Sequence, residues 1–84
     1  MAVRLDVKNL PYWFTDEELL AVFAPHGTVL SVNVIPPLMP LSPASGIVEM
    51  ATEEEAERAK EAVDGAELLG YMLQVERRDE NELL

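Results

Sequence analysis

Cysteine is absent from this 84-residue chain. Its absence removes disulfide frameworks, thiolate metal sites and cysteine nucleophiles from consideration. Histidine occurs once, at His26, which leaves no credible transition-metal cluster, and no Ser-His-Asp set is argued from it. Bases are scarce too. Six Lys and Arg face sixteen Asp and Glu, a formal charge of −10. Such a chain repels a polyanion at long range unless its few cations cluster. No apolar run reaches the roughly 18 residues of a membrane span. The opening MAVRLDVKNL has no long apolar stretch behind a basic start, so no signal peptide is expected. The corresponding expectations are an intracellular setting, cytoplasmic or nuclear, and no membrane partner.

Apolar residues make up 49% of the chain, enough for one folded domain with a modest core. VRLDVKNL alternates, with Val3, Leu5 and Val7 on one side and Arg4, Asp6 and Lys8 on the other, which predicts a half-buried strand. Thr15 and Glu18 form a capping-box pair, and Leu19, Val22 and Phe23 follow at helical spacing. Pro25 and Gly27 end that helix, and His26 between them takes a packing role. TVLSVNVI, rich in β-branched residues, predicts a second strand. PPLMPLSP, residues 36–43, carries four prolines in eight positions and must be a loop, an unusually apolar one.

SGIVEM is a third strand. Thr52 and Glu55 repeat the capping box and open a second helix through Ala56, Ala59, Ala62 and Val63 to Asp64-Gly65. YMLQVER is a fourth strand, with Leu73 and Val75 inward. Residues 1–78 form the domain on this reading, and 79–84 a tail. TDEEL and TEEEAERAKE hold half of all the acids, at helix starts where the dipole favours them. Most of the negative charge is therefore expected on solvated helix faces.

The element order is strand-helix-strand, twice. Two right-handed crossovers interleave into a four-stranded antiparallel sheet of order 4-1-3-2 with both helices on one face. The fold class is α+β, ferredoxin-like, and one sheet face is left open.

At this point the chain resembles the RNA recognition motif (RRM) family over nearly its whole length. LDVKNL is similar to that family's first-strand motif, matching at Leu5, Val7, Asn9 and Leu10, but its aromatic position is Asp6. PASGIVEM is similar to the third-strand motif, with Gly46, Val48 and Met50 inward. There the leading basic position is Pro43 and the two platform aromatics are Ser45 and Ile47. FTDEELLAVFAPHG and TEEEAERAKEAVDGAELLG resemble the two helices with their turns. The resemblance implies a sheet that stacks single-stranded RNA on exposed rings. All three rings are missing. At roughly 1–3 kcal/mol per base, two or three lost stacks cost very roughly 2–9 kcal/mol.

Three functional readings follow. The first is a non-catalytic module that binds a protein, a second copy of itself among the candidates. It would use the apolar loop end, where Tyr12, Trp13, Leu38, Met39 and Leu41 fall, together with Ile35 and Ile47 on the open sheet. Each of these residues has an internal-packing reading as well: the loop folding over the sheet edge, Trp13 closing the domain, or Leu83 and Leu84 of the tail covering the face. The second is weak or atypical RNA binding through Arg4, Lys8, Asn33, Gln74 and Arg78, ranked below protein; DNA is not expected. The third is a scaffold altered by design or selection, with Trp13 and the 36–43 loop as its contact surface. Catalysis is not expected, and no cofactor or metal is implied. An acylphosphatase, which shares the topology, needs a phosphate-cradling loop, and PYWF supplies neither Gly nor Arg.

Overall fold

The computed structural model describes residues 2–78, so what was expected of the tail falls outside the described residues. Strand β1 (Val3–Leu10) leads to helix α1 (Asp16–Phe23) and a 3-10 turn (Ala24–His26). Strands β2 (Val29–Ile35) and β3 (Ala44–Met50) precede helix α2 (Glu53–Val63). A short hairpin, β4 (Glu67–Leu68) and β5 (Tyr71–Met72), then precedes β6 (Gln74–Arg78). The main sheet runs β2-β3-β1-β6, all antiparallel, which is the anticipated order. One feature of the chain departs from expectation: the predicted fourth strand is divided, its first two residues belonging to the hairpin.

The core follows from the alternation. Val3, Leu5 and Val7 meet Val48, Met50, Leu73 and Val75 beneath the helices. Leu19 and Phe23 descend from α1, and Ala56, Ala59 and Val63 from α2. Small alanines let α2 approach the sheet closely, since each projects only a methyl group. Ala62 is exposed, since it lies beyond the edge of the stripe formed by Ala56, Ala59 and Val63. Gly46 in β3 sits under α1, where a Cβ would lie 2.6 Å from Leu19 Cδ2.

At α1 the capping box is complete: Thr15 Oγ1 accepts from Glu18 N, and Glu18 Oε1 accepts from Thr15 N at 2.9 Å. At α2 only half of it forms. Thr52 Oγ1 accepts from Glu55 N, but Glu55 Oε2 accepts from Thr28 N at 2.7 Å, at the entry to β2. Gly27 makes this approach possible, since a Cβ there would stand 2.7 Å from Glu55 Cβ. The Thr28 amide, more than any other group, holds the Glu55 carboxyl below its ordinary value of 4.5. A carboxylate with a depressed folded-state pKa contributes stability that is complete above the unfolded value and lost as pH falls through the folded one. The melting temperature is therefore expected to drop as pH falls below 4.5, and Glu55→Gln is expected to weaken that dependence. Calorimetric melts of both proteins across the acid range check this; parallel pH profiles would rule it out.

Among the described residues, no helix is long and apolar enough to cross a membrane.

Candidate nucleic-acid interface

The open face can be read from the register, because cross-strand partners project to the same side. Three rows of four residues cross the sheet from β2 to β6. The first is Ser31, Glu49, Arg4 and Arg78. The second, at the centre, is Asn33, Ile47, Asp6 and Glu76. The third is Ile35, Ser45, Lys8 and Gln74. Every sheet residue singled out from the sequence lies on this grid: Arg4, Lys8, Asn33, Gln74 and Arg78, and also Ile35 and Ile47. Arg78 was placed beyond the last strand; it is instead the final residue of β6, paired with Arg4.

Charge is arranged unevenly over the grid. Its three bases are balanced by three acids, Asp6, Glu49 and Glu76. The acids occupy the first two rows only. Arg78 Nε lies 3.6 Å from Asp6 Oδ2, so that cation is partly occupied within the face. Lys8 stands in a row without an acid, between Ser45 and Gln74. The helical side carries the excess. Its first turns hold Asp16, Glu17 and Glu18, then Glu53, Glu54 and Glu55. Arg77, on the inner side of β6, reaches Glu53 at 2.8 Å and Glu57 at 3.7 Å. Among the described residues, the sheet face is thus less repulsive to a polyanion than the helical side.

The third row borders the end of the sheet where β1 and β2 exit. A bulge there, at Asn9, interrupts the β1–β3 register. Asn9 takes a left-handed φ of 68° and its Nδ2 donates to Met72 O at 2.8 Å, tying the exit of β1 to β5. Leu10 and Pro11 are buried, and Phe14 N donates to Pro11 O, so a tight turn displays Tyr12 and Trp13 between buried flanks. Trp13 is 48% exposed and Tyr12 44%. The Trp13 ring meets Tyr12 edge-on at 5.1 Å and Tyr71 at 5.9 Å between centroids. Phe14, the next residue, turns into the core and is buried. The sequence topology puts Tyr71 at this end without marking it as a contact residue. Its signal was available: after Phe14 and Phe23 are assigned to the core, it is the remaining aromatic beside Tyr12 and Trp13.

The 36–43 loop leaves β2 at the same end. Ser42 N donates to Met39 O, and Leu41 takes a left-handed φ of 66°. Leu38 is fully exposed, Met39 68% and Leu41 73%. The loop therefore does not fold over the sheet edge, and the packing alternative for these three residues is corrected. Prolines stiffen the backbone and prevent the collapse that would bury them. Ile35 is 41% exposed, whereas Ile47 is half-buried among its row neighbours. Covering of the face by Leu83 and Leu84 concerns residues outside those described.

Comparison with known proteins agrees with this geometry. The RNA recognition motif matches residues 5–74. RbpA of Nostoc sp., a protein bearing an RNA-binding name, is 42% identical over 77 residues, covering 90% of this chain and 76% of its own. The crystal structure of RNA-binding protein PG1 superposes with a TM-score of 0.79 at 31% identity, covering 90% of this chain and 93% of that one. The Rna15 motif solved with bound GU RNA superposes at 0.75 with 18% identity, over 87% of this chain and 79% of that one, a likeness of fold alone.

Proposed function

Since the chain belongs to the RNA recognition motif family, we propose that it is a non-catalytic module binding single-stranded RNA through its open sheet face, by polar and ionic contacts in place of central stacking. The observation that carries this is charge segregation. Half of the chain's six bases lie on the open face, and the acid clusters at both helix starts lie off it. Arg4, Lys8 and Arg78 would meet phosphates, and Asn33 and Gln74 would offer amide donors and acceptors to base edges or 2′-hydroxyls. The RNA-binding names of the relatives support RNA ahead of the protein partner that the apolar loops suggested from sequence.

Three phosphate contacts on a single strand give a slope of log K against log salt of about −2. The expected result is therefore weak binding of a short single-stranded RNA at low salt, with amide shifts along β1, β3 and β6 and a slope near that value. Lys8→Gln is expected to flatten the slope by about 0.7. Absence of sheet shifts at millimolar RNA would end this reading. A protein contact through the 36–43 loop is kept as a second reading, on the exposure of Leu38, Met39 and Leu41. The same titration separates the two, because a loop serving protein alone shows no shift with RNA.

A further inference from the structure

We propose that Tyr12, Trp13 and Tyr71 form a base-stacking station at the end of the sheet, so that the bases of single-stranded RNA are gripped there and not at the centre of the face. The inference rests on the RNA-binding reading above and gives the bases a location within it.

The chain has five aromatic residues. Phe14 and Phe23 are spent on the core. The other three come together at one place, although Tyr71 is far from Tyr12 and Trp13 in sequence. Their mutual angles are 84° and 75°. Tyr12 and Trp13 each keep nearly half of their surface open to solvent, while Tyr71 is half-buried against the core and backs Trp13. A base stacks on an exposed ring whatever its identity. The trio is also held in place. Buried Leu10, Pro11 and Phe14 flank the exposed pair, and the Asn9 amide fastens β1 to the strand that carries Tyr71. A preordered site loses little entropy on binding.

Charge selects the same end. The row nearest the trio, Ile35, Ser45, Lys8 and Gln74, is the one without a carboxylate. Gln74 is three residues from Tyr71, within about 10 Å of extended chain. A strand whose bases rest on the rings can therefore set phosphates near Lys8 and keep clear of the central Asp6 and Glu76. Those two acids, paired across β1 and β6, make the middle of the face less favourable to phosphates than the rows on either side, which carry the bases. A protein could use the same rings as apolar surface, but it would not need π faces. That difference gives the test.

The full chain is titrated with a mixed-sequence single-stranded RNA of about 12 nucleotides at about 50 mM salt. Tryptophan emission is followed with unlabelled RNA, and affinity by anisotropy with labelled RNA. Trp13 is the only tryptophan, so quenching of its emission reports on this site alone. Quenching is expected. Trp13→Leu, which keeps apolar bulk and removes the ring, is expected to weaken affinity roughly 5- to 100-fold. Trp13→Phe is expected to stay close to the parent. Thermal melts show whether each variant is folded, and Tyr12→Leu replaces Trp13→Leu if the latter is not. RNA binding with unquenched tryptophan, or unchanged affinity in the folded leucine variant, overturns the stacking station and leaves the sheet-face reading standing. No binding by the parent overturns both and leaves the rings to a protein.

Discussion

Phe23→Ala is expected to abolish the cooperative melt of this domain near physiological temperature, or to lower its midpoint severely. Phe23 is fully buried at the end of α1, in the cluster that joins that helix to the sheet. Removing a buried phenyl ring typically costs about 3–5 kcal/mol, part transfer and part cavity. A domain of this size has roughly 5–15 kcal/mol in total, and small domains lie toward the low end. Closing the cavity would require α1 to move toward β1 and β3, but Leu19 already lies against the Gly46 backbone. The space is therefore expected to stay open and the cost to stay high. Denaturant unfolding with a slope matching the parent checks it; a loss below about 1 kcal/mol would show that the helix relaxes into the gap. Trp13→Phe gives the contrast. That ring is half exposed, and its replacement is expected to leave the melt nearly unchanged. The two large rings thus separate: one holds the fold, and the other is available for a ligand.

Much of the architecture was legible because one face of the sheet is buried and the other is not. That asymmetry imprints a period of two on Val3-Arg4-Leu5-Asp6-Val7-Lys8, and the same imprint fixes the register of the open grid. The hairpin of β4 and β5 was harder to see. Its two-residue turn has Leu69 at φ 52° and Gly70 at φ 88°, both left-handed. Asn or Asp is the residue expected at the first of these positions, and a leucine there hides the signal. The position of Glu55 was also hidden. Thr-x-x-Glu reads locally as a capping box, but the nearest donor in three dimensions comes from Thr28, brought over the helix start by a glycine. Two other carboxylates bind distant backbone in the same way: Asp16 accepts from Val34 N, and Asp64 from Val75 N. Such pairings depend on tertiary approach and leave no periodic trace. The site was legible in composition and not in arrangement. The missing rings at Asp6, Ser45 and Ile47 were plain, whereas the confinement of acids to two rows of the grid needed the pairing of all four strands.

Restoring two rings at the centre of the sheet is the change expected to raise RNA affinity most. Asp6 and Ile47 are direct cross-strand partners on β1 and β3, at the positions where the family's motifs place aromatics. The double variant Asp6→Phe, Ile47→Phe supplies two stacking faces, each worth roughly 1–3 kcal/mol per base. The expected gain is about 2–6 kcal/mol, or roughly 30-fold to 20,000-fold in affinity, with the sum subject to coupling between neighbours. The substitution at Asp6 has a second effect. It removes a carboxylate facing Glu76 and releases Arg78, whose Nε now lies 3.6 Å from it, for a phosphate. Asp6→Leu with Ile47→Leu isolates that electrostatic part, because it removes the same charge and adds no ring. The phenylalanine pair is expected to exceed the leucine pair by at least tenfold at equal salt, while the salt slopes of the two variants agree. The fold should tolerate both, since position 6 is only partly buried and an aromatic cross-strand pair contributes about 0.2–1 kcal/mol to a sheet. Anisotropy with the labelled oligonucleotide gives both affinities and slopes. Equal affinities for the two pairs would mean that RNA does not lie across the centre of this sheet even when rings are provided. The strand would then be confined to the acid-free row and the aromatic cluster beyond it, which is the path already favoured by the disposition of Lys8, Gln74, Trp13 and Tyr71.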